Sequence, residues 1–286
     1  MTTHPAGFVS FSSQVRRAMV MLAFLIPTVG GATTVEEDMV WTGGLRQALF
    51  GDRAITESDE LIVLDVPARA EDAAIVPVSI TAQVPQTDER YIKTIYLLID
   101  KNPGPLAATF RFTQASGRAD LAFRVRVNAY SPVRAIAETN NGELFMSRRF
   151  IKASGGCSAP AASDLDAAMA RLGRIKLKTG DVARTAHPNS VQLMISHPNL
   201  SGLQMDQLTQ LYAPAHFVRQ IKVSFDDEEV FSADTSFAIS ENPSFKFFFV
   251  PDRAGELTAE VSDTKNQFFS QTLQVHTEGD KELVAN

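Results

Sequence analysis

The sequence predicts an all-β protein made of two immunoglobulin-like β-sandwich domains joined by a linker with a short helix. Short β-branched and aromatic runs recur along the chain with turn signals between them, as in a sandwich. Those runs form two blocks, separated from Ser163 to about Gly180 by a stretch of helical character. The 286 residues, 44% hydrophobic and 21% charged, are an ordinary globular composition. Without a leader they suffice for two domains of about 100 residues each.

The leader comes first. Gln14-Val15-Arg16-Arg17 is a positive start, Ala18 to Pro27 an apolar core, and Thr28-Val29-Gly30-Gly31-Ala32 a small-residue cleavage site. Those are the three parts of a secretory signal. The apolar run falls short of the roughly 20 residues a spanning helix needs, so cleavage after Ala32 leaves no membrane span. Residues 1–32 are read as signal peptide, with an uncleaved anchor as the alternative, and the address as periplasmic in a Gram-negative cell. Arg16-Arg17 leaves Sec and twin-arginine export both open. The formal net charge is −6, and loss of Arg16 and Arg17 deepens it by two. There is no lysine- or arginine-rich tract, so nucleic acid is not an expected partner.

The first domain is placed at residues 33–157. Val35 to Leu49 is helical in pattern, with Glu36, Glu37 and Asp38 favourable in its first turn and Gly43-Gly44 weakening its middle. Strands follow at Leu61 to Pro67, Ala74 to Ala82 and Tyr91 to Ile99, the last ending in the turn Asp100-Lys101-Asn102-Pro103-Gly104-Pro105. Leu106 to Thr113 is the next. Ala119 to Val127 alternates Phe123, Val125 and Val127 with Arg124 and Arg126, a period of two. Leu144 to Lys152 closes the block.

Residues 158–189 read as linker. Ser163 caps a short helix with Leu165, Met169 and Leu172 on one face, Asp166 sits at the capping-box spacing, and Gly173 is the stop. The second domain, 190–286, has strands at Val191 to Pro198, His216 to Phe225, Glu229 to Phe231, Phe245 to Val250, Gly255 to Asp263 and Gln267 to Val275. Asp226-Asp227-Glu228 is a solvated hairpin turn. The phenylalanines of Phe245 to Phe249 read as core facing the neighbouring domain.

Cys157 is the chain's only cysteine, within Ser154-Gly155-Gly156-Cys157-Ser158-Ala159-Pro160. It has no partner for an intramolecular disulfide. An inert thiol, an intermolecular bond and a reactive thiol remain open. Gly155 and Gly156 supply no side chains to pack and leave the backbone free, so the expectation is an accessible thiol on a flexible arm. A free cysteine is only slightly ionised at neutral pH, so a neighbour or a partner's active site must activate it. Lys152 is one such neighbour.

Other chemistry is absent from the pattern. His187-Pro188-Asn189 and His197-Pro198-Asn199 bracket a strand, and neither has zinc-site spacing. There is no Gly-x-Ser-x-Gly elbow, P-loop, dinucleotide fingerprint or Cys-x-x-Cys-His. The expectation is a carrier or binding protein, not an enzyme, with no catalytic residues, metal or cofactor.

At these residues the chain resembles the SoxYZ sulfur carriers of bacterial thiosulfate oxidation. Glu71-Asp72-Ala73-Ala74-Ile75-Val76-Pro77-Val78 and Lys152-Ala153-Ser154-Gly155-Gly156-Cys157 are similar to SoxY. His197-Pro198 with Ser201-Gly202, Pro214 to Val218, Glu229 to Asp234, and Asn242-Pro243 with Phe247-Phe248-Phe249 are similar to SoxZ. The chain most resembles the fused SoxYZ-like carriers associated with quinoprotein dehydrogenases.

The resemblance implies that Cys157 covalently holds thiosulfate or sulfane sulfur, with Gly155 and Gly156 as the flexible arm. It implies partners as well: a c-type cytochrome that loads the thiol oxidatively, a hydrolase that releases sulfate, and a sulfur dehydrogenase. One departure stands out. The family arm ends its chain with Gly-Gly-Cys-Gly-Gly, whereas here Ser158-Ala159-Pro160 follows and the chain continues, so the arm is tethered at both ends. The alternative role is a non-covalent accessory of a periplasmic quinoprotein (alcohol) dehydrogenase system, with Cys157 incidental.

Overall fold

The computed structural model describes residues 38–160, 165–205 and 210–278. The leader, the start of the first predicted helix and the Ser163 cap lie outside the described residues. Two helical segments run from Trp41–Leu45 and Arg46–Phe50, and Gly44 has φ 143° within the first.

The first half contributes β1 (Ile55–Glu57), β2 (Ile62–Asp65), β3 (Val76–Ala82), β4 (Ile92–Ile99), β5 (Leu106–Phe112), β6 (Leu121–Val125), β7 (Ser131–Thr139) and β8 (Leu144–Ile151). The second half contributes β9 (Ile175–Lys178), β10 (Asn189–Ile195), β11 (Val218–Phe225), β12 (Glu228–Thr235), β13 (Ser244–Phe249), β14 (Gly255–Asp263) and β15 (Phe268–Val275).

The fold is all-β, and its two sandwiches are continuous with each other. One sheet has the order β1-β8-β7-β4-β5-β12-β11-β14-β15, the other β2-β3-β6-β13-β10-β9. In the first, β5 meets β12 antiparallel from Phe112↔Phe231 to Ala108↔Thr235. In the second, Lys246 of β13 faces Ala122 of β6. Each join pairs strand edges that separate sandwiches would leave as templates for aggregation. Alternation within the strands turns aromatic rings into the seam. Phe110 lies 5.0 Å from Phe123, Phe123 lies 6.0 Å from Phe245, and Phe231 stacks on Phe247 at 4.9 Å. Phe245, Phe247 and Phe249 are fully buried, and Phe245 packs against the first half's Phe110 and Phe123, as their alternation predicts.

The sequence reading missed β7, which sits between β8 and β4. Eight of its nine residues are buried, so it lacks the inside-outside alternation of a half-exposed strand. Its second face is covered by the N-terminal helical segments, where Trp41 and Phe50 pack with Leu98, Ile136, Leu144 and Met146. Arg134 is tolerated in this strand because both Asp100 carboxylate oxygens share the single Nε–H at 3.0 Å and Oδ2 also accepts from its Nη2 at 2.9 Å. Asp38 accepts a further one at 2.5 Å, and the Trp41 ring stacks on the guanidinium at 4.8 Å.

The stretch 158–189, expected to be linker with a short helix, contains the helix Leu165–Ala170 and also strand β9, which pairs with β10. Gly173 ends the turn after the helix at φ 77°. The predicted apolar face is largely outward: Leu165 and Met169 are each 38% exposed, and the buried residue is Ala168. Among the described residues no helix is long and apolar enough to cross a membrane.

Candidate functional site

Cys157 is buried, with no exposed surface. The expected accessible thiol on a free arm is therefore corrected: in this structure the segment is docked. The Gly155 amide donates to the Asn128 carbonyl and the Gly156 amide to the Val127 carbonyl, both at 2.9 Å. Gly155 adopts φ 81° and its carbonyl accepts from the Ser158 amide, forming a tight turn around the cysteine. Gly156 lies so close to the 71–75 loop that an added Cβ would sit 2.0 Å from the Ala73 carbonyl oxygen. Gly156 thus permits close approach of backbone to backbone, while Gly155 supplies the positive φ of the turn. The expected neighbour Lys152 is bridged to Arg69 and exposed, and it does not figure among the charges that act on the thiol.

The second half completes the enclosure. The Ser201 hydroxyl donates to the Cys157 carbonyl at 2.5 Å, and the Gln204 side chain accepts from the Ser201 amide. The thiol is held at the junction of the halves. Burial pushes its pKa up to about 11, against a smaller opposing pull from the Arg126 guanidinium, so the docked sulfur stays protonated at neutral pH. A docked thiol is thus stored rather than reactive. Ser201→Ala removes one clasp worth about 1 kcal/mol. Alkylation of native Cys157 should then rise about fivefold, which timed mass spectrometry reads.

Arg126, one residue beyond the end of β6, is a site residue that the sequence pattern did not single out. It is 2% exposed; its amide donates to the Ala238 carbonyl, and its Nη1 donates to the carbonyls of Phe237 and Ile239. It lines a groove of about 360 Å³ together with Asp72, Ile75, Pro160, Gln204 and Glu241.

A second buried cluster also escaped the sequence reading, because its members are far apart in the chain. His197, His216 and Asp263 bring their ligand-type atoms within 4.8 Å of one another. His216 Nε2 lies 2.7 Å and His197 Nε2 3.5 Å from Asp263 Oδ2. His197 Nδ1 accepts from the Asn199 amide, so in the neutral ring Nε2 carries the proton. A ligating nitrogen needs a free lone pair, so this tautomer does not suit a metal. It suits a carboxylate hydrogen-bonded by His216 with the His197 Nε2–H facing it at 3.5 Å, outside hydrogen-bond geometry, and the Asp263 Oδ1 accepts from the amides of Lys265 and Gln267. The cluster anchors the 197–204 loop, and through Ser201 it holds the thiol's clasp.

Fold and site together define a double β-sandwich protein with one thiol held at the seam of its halves. Residues 46–157 match the sequence model of the sulfur oxidation protein SoxY, the match ending at Cys157. Residues 177–274 match that of the sulphur oxidation protein SoxZ. The chain belongs to the SoxYZ sulfur carriers, with the SoxY and SoxZ domains fused in one polypeptide. It is thus a sulfur-oxidation carrier.

Among solved structures it is similar to the sulfur carrier protein SoxY from Chlorobium limicola f thiosulfatophilum, with 22% identity over 42% of this chain and 99% of that one, TM-score 0.34. It is also similar to a superoxide reductase (neelaredoxin) from Ignicoccus hospitalis, with 14% identity over 41% of this chain and 90% of that one, TM-score 0.29. The comparison with curated proteins found no match.

Proposed function

We propose that this chain is a periplasmic carrier that covalently holds sulfur intermediates on Cys157 and presents them to partner oxidising enzymes. The observation that carries the reading is the chain's only thiol, standing at the end of the SoxY match behind two glycines. In the loading step a Cys157 S–H gives up its proton and an S–S bond forms to the sulfane sulfur of thiosulfate. Two electrons leave to an acceptor such as a c-type cytochrome. Hydrolysis of the bound thiosulfonate by a partner hydrolase releases sulfate and two protons and leaves a persulfide anion on Cys157. A sulfur dehydrogenase then oxidises that sulfane sulfur. No partner active site can reach a thiol buried at the seam, so loading and unloading require the arm to undock, with Gly155 and Gly156 as its hinge.

Burial and the raised pKa of Cys157 also favour a second reading, in which the chain is a non-covalent accessory of a quinoprotein (alcohol) dehydrogenase system and the thiol is incidental. The intact mass of protein purified without reductant from cells supplied with thiosulfate separates the two. The carrier role predicts a mature chain beginning at Thr33, with a reducible sulfur adduct mapping to Cys157 and absent from Cys157→Ser. A bare thiol on every molecule would sink the carrier reading and leave the accessory one.

A further inference from the structure

Among the described residues two arginines are fully buried, and they are treated differently. Arg134 has Asp100 and Asp38 as ion-pair partners. Arg126 has no carboxylate within ion-pair distance among the described residues, and its Nε is buried without a hydrogen-bond partner. A buried charge is costly unless compensated, and carbonyls of Phe237 and Ile239 satisfy only Nη1. The position of this cation is informative. The hydrogen bond from Gly156 to Val127 sets residue 126 beside residue 157, and Arg126 lines the same groove as Ala159 and Pro160, two and three residues after the thiol.

We infer that Arg126 is the counter-ion of the loaded carrier: its guanidinium pairs with the terminal sulfur of a Cys157 persulfide anion and holds the loaded arm docked. This rests on the carrier reading above. In the unloaded protein Glu241 acts on Arg126 from a distance without forming an ion pair, and the buried Cys157 thiol is neutral, so the guanidinium has no contacting anion. A persulfide is more acidic than its parent thiol, so adding one sulfur converts the neutral group into an anion beside an idle donor. Charge-assisted hydrogen bonds of this kind are the strong ones. The groove also selects for size. Asp72 and Glu241 line it with Arg126, and Asp72 Oδ1 is already engaged by the Ala74 amide. Two carboxylates oppose a sulfonate reaching across the groove, while a single added sulfur stays close to the guanidinium. The persulfide is thereby kept from stray thiols between partner enzymes.

The test uses the full mature chain, reduced and then treated with sodium tetrasulfide. The Cys157 thiolate attacks the tetrasulfide, its S–S bond breaks, trisulfide leaves, and Cys157 retains one sulfur as the persulfide anion. After removal of excess reagent, intact mass confirms loading, iodoacetamide trapping reports exposure, and thermal unfolding reports docking. Wild type should unfold at higher temperature when loaded than when reduced. Loaded Arg126→Gln should be alkylated about tenfold faster than loaded wild type, the value of one charge-assisted hydrogen bond, with Arg126→Lys in between. A wild type that loads but gains no thermal stability overturns the inference even if Arg126→Gln fails to fold. Equal alkylation rates in folded variants overturn it too, and both results leave the carrier reading intact. A wild type that never acquires the extra sulfur defeats the carrier reading and this inference with it.

Discussion

Gly156→Ala is expected to release the arm and make Cys157 about a hundredfold more reactive toward alkylating reagents at neutral pH. The added methyl would lie 2.0 Å from the Ala73 carbonyl oxygen, 2.5 Å from its carbon and 2.8 Å from the Val127 carbonyl oxygen. All three are backbone atoms, and they are tied down. The Ala73 carbonyl accepts from the Val127 amide, and the Val127 carbonyl accepts from Gly156 itself. The loop cannot yield cheaply, so the arm must lift, losing its bond to Val127 and the burial of the thiol.

The magnitude follows from ionisation. Docking holds the thiol near 11 against an ordinary value of 9.0. Undocking restores the ordinary thiolate fraction, a gain of about a hundredfold at neutral pH. Timed alkylation of native Gly156→Ala and wild type, each normalised to its denatured rate, measures the ratio. Gly155→Ala is the informative comparison. Its Cβ meets nothing within 4 Å, but the backbone has φ 81°, so that variant strains the turn without driving it off the 71–75 loop. It should raise reactivity by less. Equal rates for wild type and Gly156→Ala would show that docking does not limit access to the thiol.

The strand pattern was legible in the longer strands that keep one face to solvent. Gly255–Asp263 and the turn at Asp226-Asp227 appear where alternation and turn chemistry place them. What escaped was structure that alternation does not encode, or strands of three or four residues such as β1 and β9, too short to establish a period. The central strand β7 is covered on both faces, and β9 is a four-residue edge strand within a stretch whose composition reads as linker. Edge-to-edge fusion of the sandwiches was equally invisible, because backbone pairing leaves no mark on side-chain period.

Cys157 was recognisable from its solitude and its glycines, but its environment was not. Glycine is used both where a chain must move and where it must pass close to another backbone, and only the position of Ala73 distinguishes the two uses. Arg126 looked like the outward member of an alternating pair with Arg124. The strand had ended at Val125, and beyond that end the period of two no longer assigns a face. His197, His216 and Asp263 belong to different elements, so no local spacing connects them.

That cluster makes the second large prediction: the His197 site costs the protein about 3 kcal/mol of stability between pH 6.5 and 4, and the thiol's clasp loosens with it. Burial first, and then the neighbouring His216, push His197 down to about 4; Asp263 opposes the shift and Lys265 adds to it. The unfolded chain takes up that proton near 6.5. Between the two values the unfolded state binds more protons than the folded one, so stability is full above pH 6.5 and falls as the pH drops toward 4. Asp263, like Asp38 and Asp59, has a lowered pKa, so these carboxylates release their own contribution only at more acid pH, whereas Asp100, raised by burial, works in the opposite sense on acidification. Denaturant unfolding at pH 7.5, 5.5 and 4 measures the loss. In His197→Gln an amide N–H still reaches toward Asp263 but the titrating group is gone, so the acid slope should flatten. The thiol supplies an independent readout, since Ser201 and Gln204 sit on the loop that His197 anchors. A disulfide reagent active in acid, such as 4,4′-dithiodipyridine, should label native Cys157 faster at pH 4.5 than at pH 7. Ordinary thiols show the reverse, so wild-type labelling that merely slows in acid would dissociate the histidine cluster from the arm.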